Sequence, residues 1–335
     1  MPNIFLTDKC NLNCSYCFAS EFVNSTSSVI SIENFLKIVQ FLKKDGCSEL
    51  GLIGGEPTLY PYLTDVLDVL KHEDLFTKIT LFTNGLEIDN FVNYLTHEKF
   101  NLLVNVNSPQ NLGSRYEKLS KNIELLKSKN INFVLGINIY EENMDYSYIF
   151  DLLKKTECSQ LRFSMSVSND TKEDSKNILD DFKKIKPTIM SFLKDCLSND
   201  IVPYYDCCSV PDCVLTDDDR RLMAALAKKA NESELAFNPV NTCLTCMPVL
   251  DIFPDMTVGR CFGLAKYYRV PLSNFKSLNM IYAYFYNTID VYARLAYVDE
   301  KCEDCRFRLY NKCGICYAYK LKKIDKLKKL CLENI

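Results

Sequence analysis

An α/β fold with a parallel sheet, followed by a small cysteine-rich region, is what this sequence predicts. Three observations carry the prediction. Strand-like and helix-like patterns alternate through the first 200 or so residues. Hydrophobic residues make up 47% and aromatics 12% of 335 residues, enough for a large core. Residues 243–335 hold eight of the 17 cysteines, a clear shift in composition.

The expected strands are residues 3–7, 49–53, 78–82, 102–107, 132–140 and 160–167. Amphipathic helical patterns lie between them at 32–43, 63–71, 88–95, 114–128 and 146–154. Units of this length put helices outside a parallel sheet. Functional residues then belong at the C-terminal ends of the strands. Residues 179–197 read as a long helix and 201–205 as a strand. Next comes the run Asp206-Cys207-Cys208-Ser209-Val210-Pro211-Asp212-Cys213. Thr216 followed by Asp217, Asp218 and Asp219 reads as a helix start, with acids at the positive end of the dipole. The expected organisation is a core domain over 1–200, a bridging segment over 201–240 and a cysteine-rich domain over 241–335.

Charge and length exclude several classes. The formal net charge is −3, which gives no basic footprint for nucleic acid. No apolar stretch approaches the roughly 18 residues of a membrane helix. The chain enters its first strand at once, leaving no room for a signal peptide. Cysteines clustered in a reducing cytoplasm serve metal or redox chemistry rather than disulfides, so the expected location is cytoplasmic.

The most informative run is Lys9-Cys10-Asn11-Leu12-Asn13-Cys14-Ser15-Tyr16-Cys17-Phe18. Its C-x3-C-x2-C spacing lets one short loop place Cys10, Cys14 and Cys17 on one iron–sulfur cluster. Three thiolates fill three corners of a [4Fe–4S] cube and leave the fourth iron open. Structural zinc takes four ligands, usually as two separate pairs. Gly54-Gly55-Glu56-Pro57 follows the second expected strand. Its glycines permit close backbone approach and its proline stiffens the loop.

Together these two motifs resemble the radical S-adenosylmethionine (radical SAM) enzymes. The resemblance implies a partial (β/α)6 barrel over about the first 200 residues. It implies an open iron that chelates SAM, and reductive cleavage to a 5′-deoxyadenosyl radical. It also assigns cofactor contacts. Gly54, Gly55, Glu56 and Pro57 would meet the SAM amino group, and Tyr16 would face the adenine. Asn105 stands where relatives place a SAM-contacting serine, with Asn107 and Ser108 beside it. Thr83 and Asn84 follow the third strand, and Arg162 on the sixth suits a carboxylate through its guanidinium. For each of these a plain structural role is also open.

The C-terminal order C-x2-C-x14-C, then C-x2-C-x7-C-x2-C-x14-C, resembles the SPASM auxiliary-cluster domain. Carried over, that pattern gives one auxiliary [4Fe–4S] cluster to Cys243, Cys246, Cys261 and Cys316. It gives a second to Cys302, Cys305, Cys313 and Cys331. The spacings depart by a residue or two from the usual pattern, and Met256 stands where a turn glycine is common. Cys213 is an alternative ligand, and a zinc ribbon is the competing assignment for Cys302–Cys316. Cys47, Cys158 and Cys196 read as core residues.

The expected function is modification of a peptide or protein side chain, with a flavodoxin or ferredoxin as reductant. Phe262 stands where sulfatase-maturing relatives carry aspartate. Nine residues before Cys10 leave no leader-recognition domain there. The alternatives are a small-molecule dehydrogenase or ring-forming enzyme, and a non-catalytic electron carrier. The lysines at 320, 322, 323, 326, 328 and 329 read as a solvated helix face, or as a docking face for an acidic partner.

Overall fold

Residues 1–17, 19–20, 22–25, 28–166, 178–205, 210–233, 246, 248–265, 268–309, 313 and 315–322 are described by a computed structural model. The chain forms two compact units. The first is Met1–Leu135, Tyr148–Thr156 and Pro248–Tyr284; the second is Gly136–Ser147, Glu157–Met247 and Phe285–Ile335.

The first unit is built on β1 (Asn3–Phe5), α1 (Ile32–Lys44), β2 (Glu49–Ile53), α2 (Leu63–Lys71), β3 (Lys78–Thr83) and β4 (Phe100–Asn105). After them come a short α3 (Pro109–Leu112) and α4 (Arg115–Ser128). Strands β1 to β4 pair in parallel, with Asn3 opposite Gly51, Leu50 opposite Ile79 and Leu81 opposite Leu102. All four therefore end on the same edge. Helix α1 starts cleanly because the Ser31 side chain accepts from Asn34 N. Its buried face is Phe35, Ile38, Val39 and Leu42, the three- and four-residue spacing of one apolar stripe.

The strand β5 (Asn132–Ile139) and helix α5 (Ser147–Thr156) carry residues of both units. Late in the chain, β8 (Asp251–Ile252) pairs in parallel with β1, and β9 (Thr257–Gly259) and β10 (Arg269–Pro271) continue antiparallel. Met256 turns the β8–β9 hairpin with φ +60°, the left-handed conformation that favours glycine. It is held there by Met256 N donating to Phe253 O at 3.0 Å. Helix α8 (Leu278–Phe285) follows.

The second unit holds β6 (Gln160–Met165), α6 (Ile178–Ser198), β7 (Val202–Tyr205) and α7 (Asp217–Glu232). Strands β6 and β7 pair in parallel, and Phe163 packs on Phe192 of α6 with ring centroids 5.4 Å apart. Helix α7 opens with the expected Thr216, whose hydroxyl accepts from Asp219 N while Asp219 accepts from Thr216 N. Among the described residues the unit also holds three short helices, α9 (Val291–Leu295), α10 (Arg306–Leu309) and α11 (Tyr317–Lys322).

The α/β class and the parallel sheet agree with the sequence. One element does not. Residues 88–95 form only a 3₁₀ turn at Ile88–Phe91. Asp89, Asn90 and Asn93 compete for backbone hydrogen bonds and weaken a helix this short. No helix among the described residues is long and apolar enough to cross a membrane.

Candidate active site

The parallel strands of the first unit bring four loops to one edge. The cysteine loop leaves β1, the Gly54–Pro57 loop leaves β2, Thr83-Asn84-Gly85 leaves β3, and Asn107 follows β4. The first two loops are joined through their backbones. Gly55 N donates to Thr7 O at 2.7 Å, and Glu56 N donates to Lys9 O at 2.7 Å. A Cβ on Gly54 would stand 2.5 Å from Thr7 O, and one on Gly55 2.4 Å from Lys9 O. Only glycine allows that approach, which fixes the stem of the cysteine loop.

Glu56 is 1% exposed and acts only as an acceptor. One carboxylate oxygen takes Thr58 N at 3.1 Å, Thr58 Oγ1 at 2.7 Å and Thr83 Oγ1 at 2.7 Å. The other takes Asn84 N at 2.7 Å. Burial pushes its carboxyl above the ordinary value, and these donors oppose the shift. Glu56 thus ties the β2 loop to the β3 loop, and its side chain is fully engaged within the protein. Pro57 opens the following 3₁₀ turn, where a missing N–H costs nothing.

The β3 loop reaches the cysteine loop in turn. Asn84 Nδ2 donates to Asn11 Oδ1 at 2.7 Å, and Arg115 Nη1 donates to Asn11 O at 2.9 Å. Asn24 brackets Cys10, accepting from Cys10 N at 3.0 Å and donating to Cys10 O at 3.2 Å. Asn107 gathers two groups: Tyr16 Oη donates to its Oδ1 at 2.6 Å, and Cys14 Sγ approaches the same oxygen at 3.4 Å. Cys17 packs on an apolar cluster of Phe5, Ala19, Phe253, Phe262 and Ala265, with Phe22 alongside.

The three thiols are half-buried. Burial pushes Cys10 up to about 11, with Glu56, Cys14 and Cys17 adding to the rise and Leu12 N–H opposing it. Burial also raises Cys14 and Cys17; Tyr16, Arg115 and Asn107 work against it at Cys14. Three thiols on one loop, close enough to influence one another's charge, fit an iron–sulfur cluster. Soft thiolates are the donors iron–sulfur chemistry uses, and loading would release their protons.

Tyr16 sits within the cysteine loop, the Gly54–Pro57 and Thr83-Asn84 loops lie beside it, and Asn105 ends β4 on the same edge. Arg162 belongs to the second unit, where its Nη1 donates to Asn138 Oδ1 at 3.0 Å and Ser164 Oγ bonds the same oxygen. Asn11, Asn24 and Arg115 had drawn no attention in the sequence. For Asn11 and Asn24 the signal is asparagine density inside and beside the cysteine run; Arg115, about a hundred residues on, has none.

The C-terminal cysteines divide between the units. Cys261 follows β9 in the first, while Cys246, Cys302, Cys305, Cys313 and Cys316 lie in the second. Cys246 is near enough to influence the charge of Tyr317, the residue after Cys316. Cys207, Cys208, Cys243 and Cys331 lie outside the described residues. Cys196 is buried as expected, and Cys47 and Cys158 are half-buried. Lys320 contradicts the expected solvated face: it is 4% exposed, with Nζ 5.5 Å from the centroid of the Tyr317 ring. Its aliphatic stem is buried with the short helix. Lys323, Lys326, Lys328 and Lys329 lie outside the described residues.

Residues 4–153 match the family model for the radical SAM superfamily. The human molybdenum cofactor biosynthesis protein 1 is 33% identical over 87 residues, 25% of this chain and 14% of that protein. The sporulation killing factor maturation protein SkfB of Bacillus subtilis is 28% identical over 149 residues, 42% of this chain and 36% of SkfB. The chain thus spans well under half the length of these relatives. Streptococcus suis SuiB bound to S-adenosylmethionine shares the fold, with TM-score 0.63 and 18% identity over 94% of this chain and 72% of SuiB. SuiB bound to its precursor peptide SuiA aligns with TM-score 0.60 and 16% identity over 95% of this chain and 70% of SuiB.

Proposed function

We propose that this chain, whose residues 4–153 match the radical SAM family model, cleaves S-adenosylmethionine reductively and modifies a peptide or protein side chain. The observation that carries the first half is the shared edge of β1 to β4. There Cys10, Cys14 and Cys17 stand on a loop anchored by Gly54, Gly55 and Glu56. When bound, a [4Fe–4S] cluster with an open iron supplies an electron to SAM and yields a 5′-deoxyadenosyl radical. The chain's own residues hold and orient. Cys10, Cys14 and Cys17 ligate. The backbone of Gly54 to Pro57 receives the SAM amino group, because the Glu56 carboxylate is already committed to Thr58, Thr83 and Asn84. Tyr16, positioned by Asn107, faces the adenine. Thr83, Asn84 and Asn105 line the edge. The phenylalanines beside Cys17 exclude water.

The peptide half rests on two similarities. SkfB is named as a maturation protein, and SuiB is described with a precursor peptide. A small-molecule substrate is the second reading, favoured by the resemblance to the molybdenum cofactor protein. A simple electron carrier would need neither an open iron nor the Gly54–Pro57 anchor. We assign the C-terminal cysteines to two auxiliary [4Fe–4S] clusters, a flavodoxin or ferredoxin to the reductant, and the cytoplasm to the location.

The test is replacement of Cys10, Cys14 and Cys17 together by alanine. 5′-Deoxyadenosine formation with dithionite should fall to background while C-terminal iron is kept; continued formation overturns the catalytic assignment. Deuterium passing from a labelled peptide into 5′-deoxyadenosine supports the peptide reading, and transfer only from a small metabolite replaces it.

A further inference from the structure

Within the second unit, four cysteines from three stretches of chain line one small pocket: Cys213, Cys302, Cys305 and Cys313. Cys302 and Cys305 belong to one turn, in which Cys305 N donates to Cys302 O at 3.2 Å. Cys213 comes from the bridging segment, about ninety residues earlier in the sequence. Its placement is built. Cys213 sits in the 3₁₀ turn Asp212–Val214, and Arg220 of α7 clamps that turn. Arg220 reaches both Asp212 carboxylate oxygens, at 3.3 and 3.0 Å, and Asp212 O at 3.0 Å.

The thiols also register one another. Cys213 keeps an exposed edge, yet it lies close enough to Cys313, Cys302 and Cys305 for each to influence its charge. Cys313 and Cys305 are likewise near enough to influence Cys302. Two cations share the lining, Lys320 and Arg308. Lys320 is 4% exposed, a rare position for lysine unless a negative group accompanies it. Four thiolates with two cations suit a group that is anionic once ligated. Among the described residues, no three Cys, His, Asp or Glu side chains converge on a point that one metal ion would occupy. Four thiols around one pocket supply the four corners of a fully ligated cube.

We infer that Cys213 is the fourth ligand of an auxiliary [4Fe–4S] cluster held by Cys302, Cys305 and Cys313, in the place the sequence pattern gives to Cys331. The inference rests on the auxiliary-cluster reading above. It gives the bridging segment a chemical role: it closes a fully ligated cluster suited to electron transfer, with no iron left open to substrate.

The experiment uses the full chain with Cys10, Cys14 and Cys17 replaced by alanine, reconstituted anaerobically, so that all bound iron belongs to the C-terminal sites. That protein should hold about eight irons. Adding Cys213→Ala should lower iron to about four per chain, or leave a [3Fe–4S] signal in the electron paramagnetic resonance spectrum. Adding Cys331→Ala should leave iron and spectrum unchanged. Cys213→Ser, with circular dichroism to check the fold, should keep most of the iron with a shifted spectrum, because oxygen replaces sulfur on one iron. Iron retained with Cys213→Ala but halved with Cys331→Ala overturns the assignment and leaves the auxiliary clusters standing. Full iron in both variants overturns it too. A parent protein carrying zinc in place of iron overturns the cluster reading itself, and the assignment with it.

Discussion

Cys10, Cys14 and Cys17 occupy eight consecutive positions, whereas Cys213, Cys302, Cys305 and Cys313 are gathered from a stretch of about a hundred residues. The first group is placed from below. Its loop grows out of a strand end, and backbone bonds from Gly55 and Glu56 fix its stem. The second group is placed by clamps. Arg220 grips the Cys213 turn, and Arg308 donates to the carbonyls of Cys302 and Leu295 at 2.8 Å each, and also to that of Glu303. A site hung on a sheet edge is ordered whenever the sheet is. A site assembled from distant turns needs either strong local clamps or the metal to close it, so its folding is more tightly coupled to loading.

The largest test of this contrast is Glu56→Ala. It leaves two backbone N–H groups and two hydroxyls without their acceptor in a buried place, at a cost on the order of 3 kcal/mol. Thermal unfolding should shift down, and SAM-dependent turnover should collapse, while C-terminal iron stays bound. Glu56→Gln should recover only part of the loss, since one amide oxygen cannot serve both sets of donors. Full stability in Glu56→Ala would mean the loop is not held as the geometry indicates.

Arg308→Ala probes the other site. Three carbonyls lose a charged donor at a half-exposed position, a cost of about 1–2 kcal/mol. Iron in the C-terminal sites should fall during reconstitution, and SAM cleavage with dithionite should remain. Arg308→Lys should not restore the iron, because a single ammonium cannot span the three carbonyls that the guanidinium fork reaches. Unchanged iron in both variants would remove the clamp from the account.

The same contrast governs what the sequence reveals. The C-x3-C-x2-C run and Gly54-Gly55-Glu56-Pro57 were legible because chain connectivity alone sets their spacing, and the parallel α/β order followed from alternating periodicity. The role of Glu56 was not legible, because its acceptor duty depends on Thr83 and Asn84, nearly thirty residues on. Asn107 stood next to an assigned position without an assigned role. Cys213 was open as an alternative ligand; only the fold puts it in the cavity with Cys302, Cys305 and Cys313. Lys320 was read from a charge run that says nothing of which stem the short helix buries.

Asp251 gives a pH test confined to the first unit. It is 2% exposed on β8 and accepts from Asn3 Nδ2 at 2.8 Å. Burial raises its carboxyl to about 7, against the opposing bonds from Asn3 and Phe262 N–H. The folded value lies above the unfolded one, so the native state prefers the proton. The associated stability is present below the unfolded pKa near 4 and is lost as pH rises through 7. The melting temperature of the wild-type chain should therefore carry a downward component between pH 4 and 7. Asp251→Asn should remove that component and be the more stable of the two at pH 8. Parallel pH profiles for the two proteins would contradict the assignment.

The smallest expected effect belongs to Tyr16, and it separates two contributions that the cysteine loop combines. The hydroxyl donates to Asn107 at 2.6 Å, and the ring is the part proposed to face the adenine. Tyr16→Phe deletes only the hydrogen bond, worth about 1 kcal/mol. SAM affinity, measured by calorimetry on the anaerobically loaded protein, should weaken by about fivefold at most. Tyr16→Ala removes the ring as well and should weaken binding by about a further tenfold, in line with base–aromatic stacking of about 1–3 kcal/mol. Asn107→Ala should weaken binding at least as much as the Phe variant, because it removes the other end of the same bond and the Cys14 Sγ contact with it. If Phe and Ala variants bind SAM equally, the ring does not meet the adenine, and Tyr16 only fastens the cysteine loop to the end of β4.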